Sequence, residues 1–189
     1  GWQLVLRSRN IYGPYESKIV MAQGKTTVNG PHQGGWVDTN TGESWFVHFQ
    51  DQGAYGRVIH LNPMKWINDW PVIGADKDMD GCGEPVTTYK KPNVGRTYPV
   101  ATPPESDEFN TRHLGLQWQW HANKKDTYGF TTDLGYIRLY AGSLSKEFVN
   151  FWEVPNLLMQ KFPAEEFTAT AKLTFTAKQD GEQAGIIVM

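Results

Sequence analysis

Cysteine is nearly missing from this chain: Cys82 stands alone among 189 residues. A disulfide framework is thereby excluded, and the compartment is left open. An excess of either charge is also missing, since 18 Lys and Arg face 20 Asp and Glu, for a formal net charge of −2. That balance gives no electrostatic footprint for nucleic acid or for an anionic membrane surface. No apolar run approaches the length of a membrane-spanning helix. Helical periodicity is almost absent as well, which points to an all-β chain.

What the chain has is aromatic rings and turn formers: eight Trp, eight Tyr and nine Phe, with 19 Gly and 11 Pro. This is the composition of a turn-rich β protein. It also suits sugar handling, because flat aromatic faces match the apolar faces of pyranose rings. LVLRSRN, a Gly-Pro turn at Gly13 and Pro14, and SKIVM predict one strand pair. GGWVD and ESWFVHFQ flank TNTG, which predicts a hairpin, and GRVIHL and the short segment before DWPVIG continue the meander. In ESWFVHFQ, Trp45, Val47 and Phe49 fall on one face, with Phe46, His48 and Gln50 on the other. Residues 1–75 therefore hold about five or six short antiparallel strands, the pattern of a sandwich, barrel or propeller.

Residues 74–109, carrying Pro85, Pro92, Pro99, Pro103 and Pro104, have little apolar periodicity and read as a linker packed along a surface. A domain boundary is expected there, giving domains 1–99 and 100–189. Farther on, Phe167, Ala169, Ala171, Leu173, Phe175 and Ala177 alternate with Thr and Lys, which predicts a long strand over 166–178. AGIIVM, after the turn KQDGEQ, reads as its hairpin partner. The opening GWQLVLRSRN looks like a strand in mid-course, and the closing IIVM would leave an unprotected sheet edge. A segment of a longer polypeptide, or one chain of a complex, is the expectation, with any targeting segment removed or elsewhere.

Single residues say little by themselves. Asp76, Asp78, Asp80 and Gly81 match the first half of a calcium loop, but Thr87 stands where the bidentate Glu is needed, so a solvated acidic turn is expected. Asp38 and Glu43 bracket the TNTG turn and, at a hairpin tip, lack the walled pocket that catalytic carboxylates need. His32, in PHQGGW, has no second His or Cys at metal-ligand spacing. Arg57 enters a strand beside aromatics and, on its own, reads as a surface salt-bridge partner. Trp118 and Trp120 share a strand face and read as core.

Together the pieces are more specific. NGPHQGGWVDT, GESWFVHFQDQGAYGRVIHLNPMKW, DWPVIG and GEPV resemble the last part of a family 43 glycoside hydrolase catalytic domain, a five-bladed β-propeller. SDEFNTRHLGLQWQWHAN, FWEVPNLLMQKFPAEEFTATAKLTF and GEQAGIIVM are similar to the start of the concanavalin-like β-sandwich that follows it in β-xylosidase-type members. Order and spacing agree over almost the whole chain.

The resemblance implies part of an inverting, exo-acting enzyme releasing terminal xylose or arabinofuranose from hemicellulose such as xylan or arabinoxylan. It implies no catalytic residue here: the family's Asp base, Glu acid and second Asp belong to earlier blades. His32 corresponds to the axial histidine, where members often hold calcium or another hydrated cation. Arg57 corresponds to the arginine that reaches glycone hydroxyls and catalytic carboxylates, where its planar fork suits both. Gln33 and Gln50 are candidates for the pocket wall by adjacency. The expected partners are an oligosaccharide or polysaccharide substrate and the remainder of the propeller and sandwich, with no nucleic acid and no membrane. A secreted or periplasmic location is favoured over a cytoplasmic one. The alternative reading is a non-catalytic carbohydrate-binding β-sandwich protein.

Overall fold

A computed structural model describes residues 1–189 and divides the chain into two compact units, Gly1–Val100 and Ala101–Met189. The chain is all-β, with two short 3-10 turns and no α-helix.

Six strands fall in the first unit: β1 (Trp2–Arg7), β2 (Glu16–Ala22), β3 (Gly35–Asp38), β4 (Ser44–Asp51), β5 (Arg57–Ile67) and β6 (Trp70–Ile73). β1 and β2 form an antiparallel pair, while β3–β4–β5–β6 form a four-stranded antiparallel meander in chain order. The TNTG turn closes as composition predicts, with Gly42 N donating to Thr39 O at 3.1 Å and Thr39 N to Glu43 O at 2.8 Å. Gly34 admits the chain to β3 because β4 passes very close: a Cβ there would lie 2.2 Å from the Phe46 ring.

β4 is the central strand, and both of its faces are covered: Trp45, Phe46 and His48 are all buried. The core gathers Phe46, Met64 and Ile73 from the meander against Val20 and Met21 of β2. Val20, Met21 and Ile73 are fully sealed, each contributing roughly 1.5–3 kcal/mol of transfer free energy. A seam then ties the two sheets. Gly83 donates to Val20 O at 3.1 Å and accepts from Ala22 N at 3.0 Å, while Glu84 exchanges two 2.9 Å bonds with Ala75. Gly83 has no alternative here, since a Cβ would lie 1.7 Å from Ile73 O.

The linker is held along the meander's turn. Glu43 accepts from Lys90 Nζ at 2.8 Å, from Asn93 N at 2.8 Å and from Trp45 Nε1 at 3.2 Å. Thr41 Oγ1 donates to Asn93 O at 2.6 Å, and Tyr89 lies edge-on to Trp45.

The second unit carries two short pairs: β7 (Gln119–Trp120) with β10 (Leu158–Met159), and β8 (Gly129–Thr131) with β9 (Ile137–Leu139). Trp118 packs on Phe109 and donates to Asp107 Oδ2 at 2.8 Å, while Trp120 packs on Tyr128, so both serve local packing. The strand expected over 166–178 does not form. Its residues join no ladder, and Phe167, Leu173 and Phe175 are exposed. The turn itself is made, with Lys178 N donating to Glu182 Oε2 at 2.8 Å. Alternation fixes which side of a strand is apolar, but a lone hairpin is marginal without a further layer to bury that side.

Candidate functional site

The site is built where the loop entering β3 meets the ends of β4 and β5. Antiparallel register places Asp51 opposite Arg57 and Phe49 opposite Ile59, so Phe49 and Arg57 share one face of the meander. The Arg57 guanidinium lies over the Phe49 ring, 4.4 Å from its centroid. The His32 ring meets the same Phe49 at 5.1 Å. Arg57 is exposed and makes neither a hydrogen bond nor an ion pair within the chain, although Asp51 is its register partner. A cation–π contact of this kind is worth about 0.5–1 kcal/mol at an exposed site. It engages none of the guanidinium's N–H donors in a hydrogen bond within the chain.

His32 Nδ1 contacts the Gly30 carbonyl, which makes Nδ1 the donor and leaves Nε2 without a partner in the chain. Gln33 sits beside it in the left-handed region, at φ 51°, and is exposed. Gln50 lies on the opposite face of β4 from Phe49. Its amide nitrogen donates to Thr27 O at 2.8 Å, and its oxygen accepts from His60 Nε2 at 3.1 Å. The structure thus brings His32 and Arg57 together around Phe49, leaves Gln33 exposed in the turn beside His32, and uses Gln50 as a strut on the other face of β4.

Behind β4 runs a buried polar chain. Val86 N donates to Asn62 Oδ1 at 2.7 Å, and Asn62 Nδ2 donates to His48 Nε2 at 2.7 Å. His48 Nδ1 donates to Phe49 O at 3.2 Å. Burial holds the His48 imidazolium down, and the neighbouring His60 and His32 add to the effect. His60, stacked on His48 at 5.4 Å, is likewise lowered by burial. Parity across the WFVHFQ and GRVIHLN strands would have found this pairing; inspection of single residues does not.

Asp51, at the Arg57 end of β4, and Asp38 and Glu43, at its opposite end, are structural. Asp38 accepts from Trp36 Nε1 at 2.8 Å and Ser44 Oγ at 2.6 Å, and Asp51 from Gly53 N at 3.1 Å. Glu43 is held well ionised by Lys90, then by the Asn93 amide. The chain places no acid–base pair around Arg57. Oxygens of Asp76, Asp78 and Asp80 converge within 4.8 Å, but Asp76 Oδ2 takes Gly81 N and Asp80 Oδ1 takes Cys82 N, as an acidic turn does. Burial, with those aspartates, pushes the Cys82 thiol up, which leaves it a poor nucleophile.

Residues 106–189 match the family model of a β-xylosidase C-terminal concanavalin A-like domain. Over 177 residues the chain is 48% identical to a Xylanibacter ruminicola protein named "Putative beta-xylosidase", covering 92% of this chain and 32% of that one. It is 27% identical to a non-reducing end α-L-arabinofuranosidase of Bacteroides ovatus, over 98% of this chain and 36% of that one. Among solved structures, a family 43 protein of Bacillus licheniformis superposes with a TM-score of 0.63 at 26% identity, over 86% of this chain and 33% of that one. The chain spans about a third of the length of these curated relatives.

Proposed function

The chain belongs to the family 43 glycoside hydrolases, as the last part of a β-propeller followed by part of a concanavalin-like sandwich, and from that premise we propose what it does. It is the supporting side of a glycone pocket in an inverting, exo-acting hydrolase that removes terminal xylose or arabinofuranose from hemicellulose. One observation carries this reading: a guanidinium over the Phe49 ring, beside His32, with no hydrogen bond or ion pair within the chain. Such a group is ready to take sugar hydroxyls or a carboxylate in a planar fork. Inversion needs an acid on one side of the scissile bond and a water-activating base on the other. Those groups come from the remainder of the propeller, in the same polypeptide or a companion chain.

Within this division of labour Arg57 orients the substrate and favours the ionised form of the catalytic base. His32 and Gln33 form the adjoining wall, with Gln50 bracing the strand from behind. A hydrated calcium or other cation on the axis would take one ligand from this chain, His32 Nε2, with water among its oxygen ligands. No step is assigned to it.

The test is Arg57→Ala in the full-length enzyme, assayed on nitrophenyl xyloside and nitrophenyl arabinofuranoside. The expected result is a fall in kcat/KM of about a hundredfold or more with the faster substrate. A near-normal rate with both removes Arg57 from the pocket.

A further inference from the structure

We infer that Phe49 is a positioning residue for the pocket, the ring that sets the plane of the Arg57 guanidinium and seats His32 beside it. The inference rests on the reading of Arg57 as a substrate-orienting group. Arg57 has a long side chain at the first position of β5 and no hydrogen bond or ion pair to order its head. The described contact that restrains the head is the Phe49 ring, 4.4 Å away. Phe49 can serve as an anchor because it stands on the central strand, half-buried, paired with Ile59 on one side and touching His32 on the other.

The geometry explains why an aromatic is needed. An ion pair to Asp51 would also order the guanidinium, but it would take the N–H donors that a ligand requires. The ring contact restrains the group without consuming any of those donors. Leucine would keep the apolar contact yet supply neither the flat surface nor the quadrupole. One ring also couples two loops of different origin, the His32 turn before β3 and the Gly56–Arg57 entry to β5. His32 keeps its own contact to the Gly30 carbonyl, so the group that depends on the ring is Arg57.

The test is a double-mutant cycle in the full-length enzyme, with kcat and KM measured on the same two nitrophenyl glycosides. Phe49→Leu is expected to lower kcat/KM at least tenfold, and Phe49→Trp to restore it to within threefold of the parent. In an Arg57→Ala background, Phe49→Leu is expected to add less than a twofold loss, because its effect runs through Arg57. Phe49→Met, nearer in volume, replaces leucine if the leucine variant melts early, with the same expectation. A wild-type rate in the leucine or methionine variant overturns the inference. So does a full multiplicative loss in the double variant, which leaves the Arg57 reading intact. If Arg57→Ala alone is near normal, the functional reading falls first and this inference with it.

Discussion

His48 gives its Nδ1 proton to Phe49 O and receives a bond at Nε2 from the Asn62 amide, while the other end of that amide holds Val86 N. A second proton on the ring would set two donors against each other. Turning Asn62 to relieve this would release the Val86 amide. Burial therefore keeps the folded His48 below the ordinary histidine value of 6.5. The neutral ring is the stabilising form, so its contribution is present above about pH 6.5 and is lost as pH falls through the lowered folded value. Melting temperature measured from pH 8 to pH 5 should drop through this window, and His48→Gln should flatten the drop. An unchanged slope in that variant would mean that other groups govern it. Removing the partner is costlier: Asn62→Ala leaves the buried His48 Nε2 and the half-buried Val86 amide hydrogen unpaired, and about 1–3 kcal/mol should be lost in a denaturant titration.

At the scale of elements, Glu43 joins the β3–β4 turn to the linker. Its folded carboxyl lies below the ordinary 4.5, first through Lys90 and then through the Asn93 amide. The strap is thus intact above that value and loosens as pH falls through the lowered one. Glu43→Gln is expected to speed hydrogen exchange at residues 89–95 while the β4–β5 amides keep their protection; equal protection in both would show that Glu43 does not hold the linker. Much of this layer was legible in the sequence. The strands of residues 1–75 and the TNTG hairpin follow from alternation and turn chemistry, and six strands form there. The anchor of residues 89–95 was not legible, because Glu43 and Asn93 meet only after folding. At the site, His32 and Arg57 could be singled out by resemblance, whereas Phe49 read as one more apolar residue on a strand face. Its role depends on what two distant turns bring to it. The strand expected over 166–178 failed for the same kind of reason: a face pattern cannot supply the layer that buries it.

Across the whole chain, Asp51 beside Arg57 accepts a turn amide, Asp38 and Glu43 are tied at the far end of β4, and none matches the acid or base that hydrolysis by inversion requires. The 189-residue chain by itself is therefore expected to leave both nitrophenyl glycosides unhydrolysed. Release of nitrophenol by pure chain would overturn the division of labour proposed above. The seam at Gly83 and Glu84 carries a different consequence, one of timing. The two sheets close by neighbouring hairpins, with little loop entropy to overcome, but the rung between β2 and the end of β6 is supplied by residues that follow both. During synthesis each sheet can gather as its own hairpins emerge, and neither can be fastened to the other until the ribosome has released the stretch beyond Cys82. Until that moment Val20 and Ile73 lack the strand that joins their edges. The nascent chain is then most exposed to wrong pairing just before its linker appears.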